Sequence, residues 1–290
     1  MSSKIKGFKP QEYIPFISVH LGCLLVFVSG WSWTALGIAL FLYVVRAFGI
    51  TAGYHRYFSH RAFKTSRAFQ FILALIGTSA GQMGPLWWAG HHRIHHRRSD
   101  KEGDIHSPVI DGFFQSHIGW ILQKENRSTN YDVISDFAKY PELRFLNQFY
   151  VLPPFLLAAS LFLLGMFLEG RYPQLHTSGL QLLAWGFFVS TVALYHATFF
   201  INSLAHTWGS RRFETDDASR NNWLLAVITL GEGWHNNHHR YPHATRQGFR
   251  SWEIDPTYWT LKIFEKLGLV WDLREPPEEL KRGSQEARAA

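Results

Sequence analysis

The 290-residue chain contains one cysteine, Cys23, and few charged residues. One thiol cannot form an intramolecular disulfide, a cysteine-based zinc finger or an iron–sulfur cluster within this chain. Charged residues make up 18% of the sequence, against about 25% in an average soluble domain. Hydrophobic residues make up 47%, too many for a disordered chain. These absences exclude a disulfide scaffold and a solvated coil, so the placement of the apolar residues becomes informative.

Four apolar segments are long enough to cross a membrane as helices. They are residues 14–30, 32–50, 151–168 and 179–200. Arg46 is the single charged residue among them. At about 1.5 Å of rise per residue each segment reaches roughly 26–33 Å, which matches the hydrocarbon thickness of a bilayer. We therefore predict an all-α membrane protein with four transmembrane helices in two hairpins.

The positive charges lie on one side of this arrangement. Of 29 Lys and Arg residues, 27 fall in residues 1–13, 51–150 and 201–290. Because loops rich in Lys and Arg stay in the cytoplasm, we predict both termini there. The predicted architecture is a single membrane domain at 1–272, capped by a helical cytoplasmic region from 51–150 and 201–272, with a solvated tail at 273–290. A net charge of +7 beside an anionic lipid bilayer requires no nucleic acid as a partner.

Histidine is in excess, with sixteen copies. Nine lie on the predicted cytoplasmic side in three tight groups and one outlier: His55 and His60; His92, His95 and His96; His235, His238 and His239; and His206. In the second and third groups the i, i+3, i+4 spacing places three imidazoles on one helix face. The first pair is five residues apart, about 140° around an ideal helix, so it converges only at a helix end or a distortion.

Imidazole nitrogen is the commonest protein ligand for zinc, iron, copper and nickel. Nine imidazoles exceed what one ion takes, so the pattern predicts a two-metal site on the cytoplasmic face. Spacing alone does not choose between iron and zinc. His91 stands four residues before His95 and is an alternative to His92 as a ligand. Asn202 shares a helix face with His206.

Four motifs in order resemble the membrane-bound fatty-acid desaturases, in particular the short bacterial type of the acyl-CoA Δ9 (stearoyl-CoA) desaturase-like family. The motifs are G-Y-H-R-x₃-H at 53–60, W-W-A-x-x-H-R-x-H-H at 87–96, N-S-x-A-H-x-x-G at 202–209 and G-E-G-W-H-N-x-H-H at 231–239. The resemblance covers roughly residues 32–260. It implies a helical cap that holds a di-iron site above an acyl tunnel.

The resemblance also implies a ligand set and a reaction. Two iron ions would be bound by His55, His60, His92, His95, His96, His206, His235, His238 and His239, with Asn202 acting through water. The implied activity is that of an oxidoreductase that uses O₂ to insert a cis double bond, at the Δ9 position, into a saturated fatty acyl chain. Because histidine ligands usually donate their second ring N–H to a carboxylate, we expect such contacts from Glu232, Asp100, Asp104 and Asp216.

The substrate carrier and the electron source are less constrained. Gly90 and His91 replace an Arg-Asp pair that helps animal members hold CoA, so the carrier is fatty acyl-CoA or another acyl thioester or lipid. Lys124 is a candidate contact for the headgroup. Neither H-P-G-G nor C-x-x-C occurs, so we expect a separate electron donor of the ferredoxin, rubredoxin or cytochrome b5 type. The short form favours a bacterial inner membrane.

Two other interpretations stay open at this point. A hydroxylase or ketolase would use a related di-iron membrane scaffold on a lipid but release a different product. A non-catalytic metal-binding membrane protein would need ion-binding groups within its spans to pass ions, and only His20 and His196 lie there.

Overall fold

The computed structural model describes residues 13–282, and in this range the chain is mostly helical. The helices are α1 Ile14–Ser29, α2 Trp33–Ser59, α3 Arg67–Ser79, α4 Pro85–Arg98, α5 Pro108–Asp111, α6 Phe113–His117, α7 Ser135–Ala138, α8 Pro141–Gln148, α9 Leu152–Arg171, α10 Gly179–His206, α11 Trp223–Ile228, α12 His235–Arg240, α13 Pro256–Lys266 and α14 Glu278–Arg282. Strands β1 Lys64–Thr65 and β2 Val270–Trp271 pair antiparallel, with Lys64 opposite Trp271.

Several of the long helices contain turns of other geometry. A 3₁₀ turn, Cys23–Leu25, lies within α1, and π-helical turns lie at Gly49–Ser59 in α2 and Leu182–Val189 in α10, which ends in a 3₁₀ turn at Leu204–His206. Separate 3₁₀ turns occupy Gly119–Leu122, Lys124–Arg127 and Pro173–Leu175. The π-helical turns matter for the site because they change which residues share a face.

Within residues 13–282, three helices are long and apolar enough to cross a membrane. They are α2, α9 and α10, with 27, 20 and 28 residues. The first predicted span forms α1, which is apolar but shorter. Four spans in two hairpins, and the side on which the termini lie, therefore stay predictions.

Local sequence signals account for where the spans begin. The Ser32 hydroxyl accepts a hydrogen bond from the Ala35 N–H at 3.1 Å and caps α2. Gly30 joins α1 to α2 with a φ of 65°, a conformation that glycine adopts without steric strain. Pro153 and Pro154 stand in the first turn of α9, where a missing backbone N–H costs nothing.

A buried arginine ties two of the long helices together. Arg46 of α2 is 1% exposed and donates to the Thr191 hydroxyl of α10 at 2.7 Å and to the neighbouring Ser190 hydroxyl. A buried cation needs such acceptors because removing it from water is costly. The single charge in the predicted spans therefore fixes α2 against α10.

The predicted solvated tail begins as packed structure. Arg212 donates to the Leu280 carbonyl at 3.0 Å, and Leu280 packs against Phe213 and Phe249. The apolar side chain of Leu280 explains the difference, since it covers a small satellite core of the cap. Residues 1–12 and 283–290, which hold the rest of the predicted termini, lie outside the described residues.

The packing of α9 against the start of α10 depends on a close backbone approach at Gly165. A Cβ at this position would lie 2.4 Å from the Ser178 carbonyl oxygen and 2.6 Å from the Gly179 Cα. Both neighbours are backbone atoms, which cannot move away as a side-chain end can. Only glycine allows the two helices to meet at this distance.

We expect Gly165→Ala to destabilise the protein by about 1–3 kcal/mol, because the added methyl group forces α9 and α10 apart. Gly170→Ala is the matched control on the same helix, since its new Cβ meets nothing within 4 Å. The measurement is the thermal unfolding midpoint of both purified variants in one detergent. Equal midpoints for the two variants would contradict the packing described here.

Candidate metal centre

The first histidine pair converges because its helix is π-helical. In the Gly49–Ser59 turn the ladder runs from residue i to i+5, and the His60 N–H donates to the His55 carbonyl at 3.2 Å. This wider winding turns residues five apart toward the same side. The two ring centroids lie 4.9 Å apart. The distortion that the five-residue spacing required is therefore present.

The nine histidines singled out in the sequence lie in two adjacent groups. The five-histidine group comprises His55, His60, His92, His96 and His238, and the four-histidine group comprises His95, His206, His235 and His239. Within each group the candidate ligand nitrogens lie within 4.8 Å of one another. The rings of His96 and His239 stack at 4.4 Å and join the groups. Each group could hold one metal ion.

The i, i+3, i+4 spacing serves both groups rather than one. On α4, His92 and His96 belong to the five-histidine group while His95 belongs to the other. On α12 the division is reversed, with His238 in the five-histidine group and His235 and His239 in the other. Each of these helices therefore contributes to two metal positions. The sequence pattern predicted shared faces but not this division.

Carboxylates hold four of the imidazoles from outside the groups. The Nδ1–H groups donate to one carboxylate each, in the pairs His55–Glu232, His95–Asp104 at 3.1 Å, His206–Asp100 at 2.8 Å and His239–Asp217 at 2.6 Å. Such a bond assigns the ring proton to Nδ1, orients the imidazole and leaves the Nε2 lone pair for a metal. Three of the four pairs support the four-histidine group.

One predicted carboxylate is wrong by a single position. The Asp216 side chain is 94% exposed and lies 3.5 Å from Lys101, not near a histidine. Its neighbour Asp217 turns inward because its other carboxylate oxygen accepts from the Ser219 N–H at 2.9 Å and the Thr215 hydroxyl at 3.0 Å. This turn sets which aspartate meets His239, and no periodic pattern in the sequence indicated it.

Burial and mutual proximity disfavour the charged form of six of the imidazoles. Burial, followed by the neighbouring imidazoles, lowers the pKa well below 6.5 for His60, His92, His96, His235 and His238. Burial also lowers the pKa of His239, to about 4, against the opposing effect of Asp217. Metal binding requires the neutral form of imidazole. The surroundings of these six histidines therefore favour the protonation state that binds metal.

The carboxylates that bind these histidines stay ionised, because hydrogen bonds and nearby charge outweigh the effect of burial on their pKa. Burial raises the pKa of Asp100, but the hydrogen bond and charge of His206, with other donors, outweigh it and leave a pKa of about 2. The same balance, with His95 and His239 as the respective donors, lowers the pKa of Asp104 and Asp217 far below the usual range. An ionised carboxylate that accepts the Nδ1–H of a histidine increases the basicity of the other ring nitrogen, which is the candidate ligand atom.

The donor set fits a transition metal. His239 Nε2 is buried in the four-histidine group without a hydrogen-bond partner. A buried polar atom left unpaired costs free energy, which coordination to an ion would recover. An all-imidazole set of four or five nitrogens suits iron or zinc far better than magnesium or calcium, which prefer oxygen ligands.

A larger and a smaller cavity that share lining residues border the histidine groups. The larger has a volume of about 620 Å³ and mostly apolar walls, including Trp88, Tyr195 and Phe199. The smaller has a volume of about 40 Å³ and is lined by residues of both groups. Asn202 and His92 line both cavities. Asn202 therefore lies between the larger cavity and the candidate metal positions, in a space large enough for water.

The remaining residues predicted for the site, His91 and Lys124, lie outside the histidine groups. His91 lines the larger cavity, and its Nδ1 donates to the Trp87 carbonyl at 2.9 Å, so it stands outside both histidine groups. Lys124 is exposed and does not line the cavity, whereas Arg127 at the end of the same 3₁₀ turn does. The Arg127 guanidinium lies over the Tyr13 ring at 5.4 Å. Sequence reasoning missed Arg127 because the course of this turn is set by tertiary packing.

The fold and the site define a class: a helical, membrane-associated protein with buried histidine groups that could hold metal beside a long apolar cavity. Residues 31–268 match the family model described as fatty acid desaturase, and the chain belongs to this family. Its relatives are membrane-bound oxidoreductases that act on fatty acyl chains, and this chain is an oxidoreductase of the same family.

Three relatives illustrate the similarity. The sn-1 stearoyl-lipid 9-desaturase of Anabaena variabilis is 38% identical over 264 residues, covering 89% of this chain and 91% of that protein. The sn-2 palmitoyl-lipid 9-desaturase of Nostoc sp. (strain 36) is 37% identical and covers 96% of each. The acyl-CoA C20 Delta5-desaturase of Anemone leveillei is 36% identical, covering 93% of this chain and 83% of that protein.

We expect Asp217→Asn to weaken metal binding by about 10–100-fold, because the amide no longer holds His239 as an anionic acceptor does. Asp216→Asn is the matched control, one residue away and 94% exposed. The measurement is the metal content of the purified variants after equilibration at a series of free iron concentrations. If the two variants retain metal equally, Asp217 does not support the site.

Proposed function

We propose that the protein is an O₂-dependent acyl desaturase that inserts a cis double bond at the Δ9 position of a saturated acyl chain. The observation that carries this proposal is the apolar cavity of about 620 Å³ that ends at His92 and Asn202, beside the two histidine groups. The overall change is –CH₂–CH₂– + O₂ + 2 e⁻ + 2 H⁺ → –CH=CH– + 2 H₂O.

We propose two iron ions as the cofactors, one in each histidine group, with Asn202 acting on one of them through water. When bound, iron together with O₂ supplies an oxidant strong enough to remove hydrogen from an unactivated methylene, which no side chain provides. The nine histidines would be the ligands, and Glu232, Asp100, Asp104 and Asp217 would orient four of them.

The chain's own contribution to the reaction is positioning and the exclusion of water. The cavity walls hold an extended acyl chain by apolar contact and keep bulk water from the reacting methylenes. The Trp88 ring stacks against the His92 ring at 5.1 Å, at the boundary between the cavity and the five-histidine group. An acyl chain held along this wall would place one pair of methylenes next to the site.

The carrier, the donor and the location are further parts of the proposal. The relatives include both acyl-lipid and acyl-CoA desaturases, so the carrier is CoA or a membrane lipid. The Δ9 position is supported by the stearoyl-lipid and palmitoyl-lipid 9-desaturases among them. We propose a separate one-electron donor, a single membrane domain at 1–272, and a site on the cytoplasmic side of a bacterial inner membrane.

Expression of the full chain in a host without its own desaturase should yield a new cis monounsaturated fatty acid, with the double bond located by mass spectrometry. His238→Ala should abolish this product and lower bound iron from about two per chain, since a ligand of the five-histidine group is lost. The control is His176→Asn, in an exposed turn with a φ of 47° that asparagine tolerates.

Each other outcome has a distinct meaning. A hydroxylated fatty acid without a new double bond would establish a hydroxylase or ketolase instead. Bound iron without any lipid product would favour the non-catalytic metal-binding protein. Full activity of His238→Ala would remove this residue from the proposed ligands.

A further inference from the structure

The larger cavity borders two helices that face each other across a gap. Pro15, Ser18 and Val19 of α1 line one side, and Phe155 and Ala158 of α9 line the other. No hydrogen bond joins Ile14–Ser29 to Leu152–Arg171, both of which are fully described. The wall of the cavity between these helices is therefore not held closed by any polar contact.

Both helices pack on the same segment, the π-helical turn Leu182–Val189 of α10. On one side Gly22 of α1 lies so close to Phe188 that a Cβ would be 2.3 Å from its ring. On the other side Leu161 of α9 packs against Gly186 of that turn. Phe187 and Phe188 line the cavity between them. The two helices thus form the sides of a cleft whose floor is this segment.

The cleft is open to the outside of the protein. Phe155 is 64% exposed and Val151 is 53% exposed, although both also line the cavity. Ser18 and Pro15 are likewise exposed cavity residues on α1. A side chain that contacts both the cavity and the exterior marks an opening in the wall. The residues that mark this opening lie at and near the N-terminal ends of α1 and α9.

The outer surface beside the opening is apolar. Leu21 and Phe27 of α1 are 59% and 83% exposed, and Leu163 and Phe167 of α9 are 63% and 57% exposed. Exposed apolar surface of this extent on long apolar helices is expected to contact lipid. The cleft therefore continues a lipid-facing surface inward to the cavity.

Three histidines without a role in metal binding hold α1 on its opposite side. The Nε2 atoms of His20 and His196 lie 3.3 Å apart, and His196 Nδ1 lies 3.0 Å from His117 Nε2. His117 Nδ1 in turn contacts the Ser203 hydroxyl at 3.0 Å. The chain links α1 to α10 and α6, away from α9.

The tautomers in this chain follow from its ends. His20 Nδ1 donates to the Phe16 carbonyl at 2.8 Å, so its Nε2 accepts from His196, and His196 Nδ1 then accepts from His117. All three rings are paired as neutral groups, which suits an apolar environment. Because polar contacts between membrane helices resist separation, α1 stays attached to α10 while its α9 side is free of such contacts.

We infer that the gap between α1 and α9 is a lateral portal through which an acyl chain of a bilayer lipid enters the cavity. This inference rests on the proposed function for the fate of the chain. A chain that moves sideways from the bilayer passes between two apolar environments. The hydrocarbon of a water-borne thioester would instead be exposed to water before entry, which is unfavourable in proportion to its apolar surface.

The portal can be narrowed without touching the histidine groups. Ser18→Trp and Ala158→Trp place a large ring in the gap from either side. Ile17→Trp and Leu156→Trp are the matched controls, since these residues are 47% and 53% exposed on the same helices but do not line the cavity. The same indole is thus added at portal and non-portal positions.

The test uses the full-length protein in nanodiscs containing a phospholipid with a diazirine on its acyl chain. We expect photolabelling of peptides from 13–22 and 151–158, with a several-fold drop in the two portal variants and no change in the two controls. This readout needs neither bound iron nor turnover. Equal labelling of portal and control variants, or no labelling of these peptides in the wild type, would overturn the portal.

A second arm separates this inference from the proposed function. Turnover is followed with the stearoyl chain supplied either as nanodisc phospholipid or as stearoyl-CoA in solution. Labelling of the portal without any desaturation would refute the proposed function and leave the portal standing. Desaturation of stearoyl-CoA alone, unaffected by Ser18→Trp and Ala158→Trp, would refute the portal and leave the function standing.

Discussion

Holding nine imidazoles together in a buried space is the constraint on which the rest of the structure depends. Unpaired imidazoles inside a protein lose their hydrogen bonds to water, and charged ones would repel each other. For four of the nine rings, a carboxylate that binds Nδ1 from outside the groups offsets the first cost, at Asp100, Asp104, Asp217 and Glu232. Burial opposes the second, because it lowers the pKa of rings such as His92 and His238.

The carboxylates need support of their own, which reaches far into the fold. Glu232 accepts from Arg56 at 3.0 Å, and Arg56 also contacts Asp255 at 2.9 Å and the Thr245 carbonyl at 2.7 Å. This buried network joins the π-helical end of α2 to the segments around α12 and α13. Removing one member would leave a buried charge unpaired, which typically costs about 3–5 kcal/mol. The metal centre and the stability of the cap are therefore linked.

The larger cavity, unlike the metal centre, requires mostly apolar side chains around it. Aromatic side chains such as Trp88 and Phe199 form part of its wall, and Asn202 and His92 line both this cavity and the smaller one beside the histidine groups. Polar contacts around it are asymmetric, because the His20–His196–His117 chain fastens α1 to one side only. The molecule thus combines a polar centre, held by ion pairs and hydrogen bonds, with an apolar cavity. At one edge of this cavity, the fully described helices α1 and α9 make no polar contact with each other.

By itself the sequence determined the helical class, the apolar segments and the nine histidines, because hydrophobic length and i, i+4 spacing are local properties. Local pattern also indicated that His55 and His60 needed a distorted helix. Only the tertiary structure decided how the histidines divide between two groups, since helices with similar spacing present them to different neighbours. It likewise placed Asp217 rather than Asp216 at His239, and Arg127 rather than Lys124 at the cavity. Which of two nearby residues faces the site depends on loop conformation and packing, and the local sequence pattern does not show either of these.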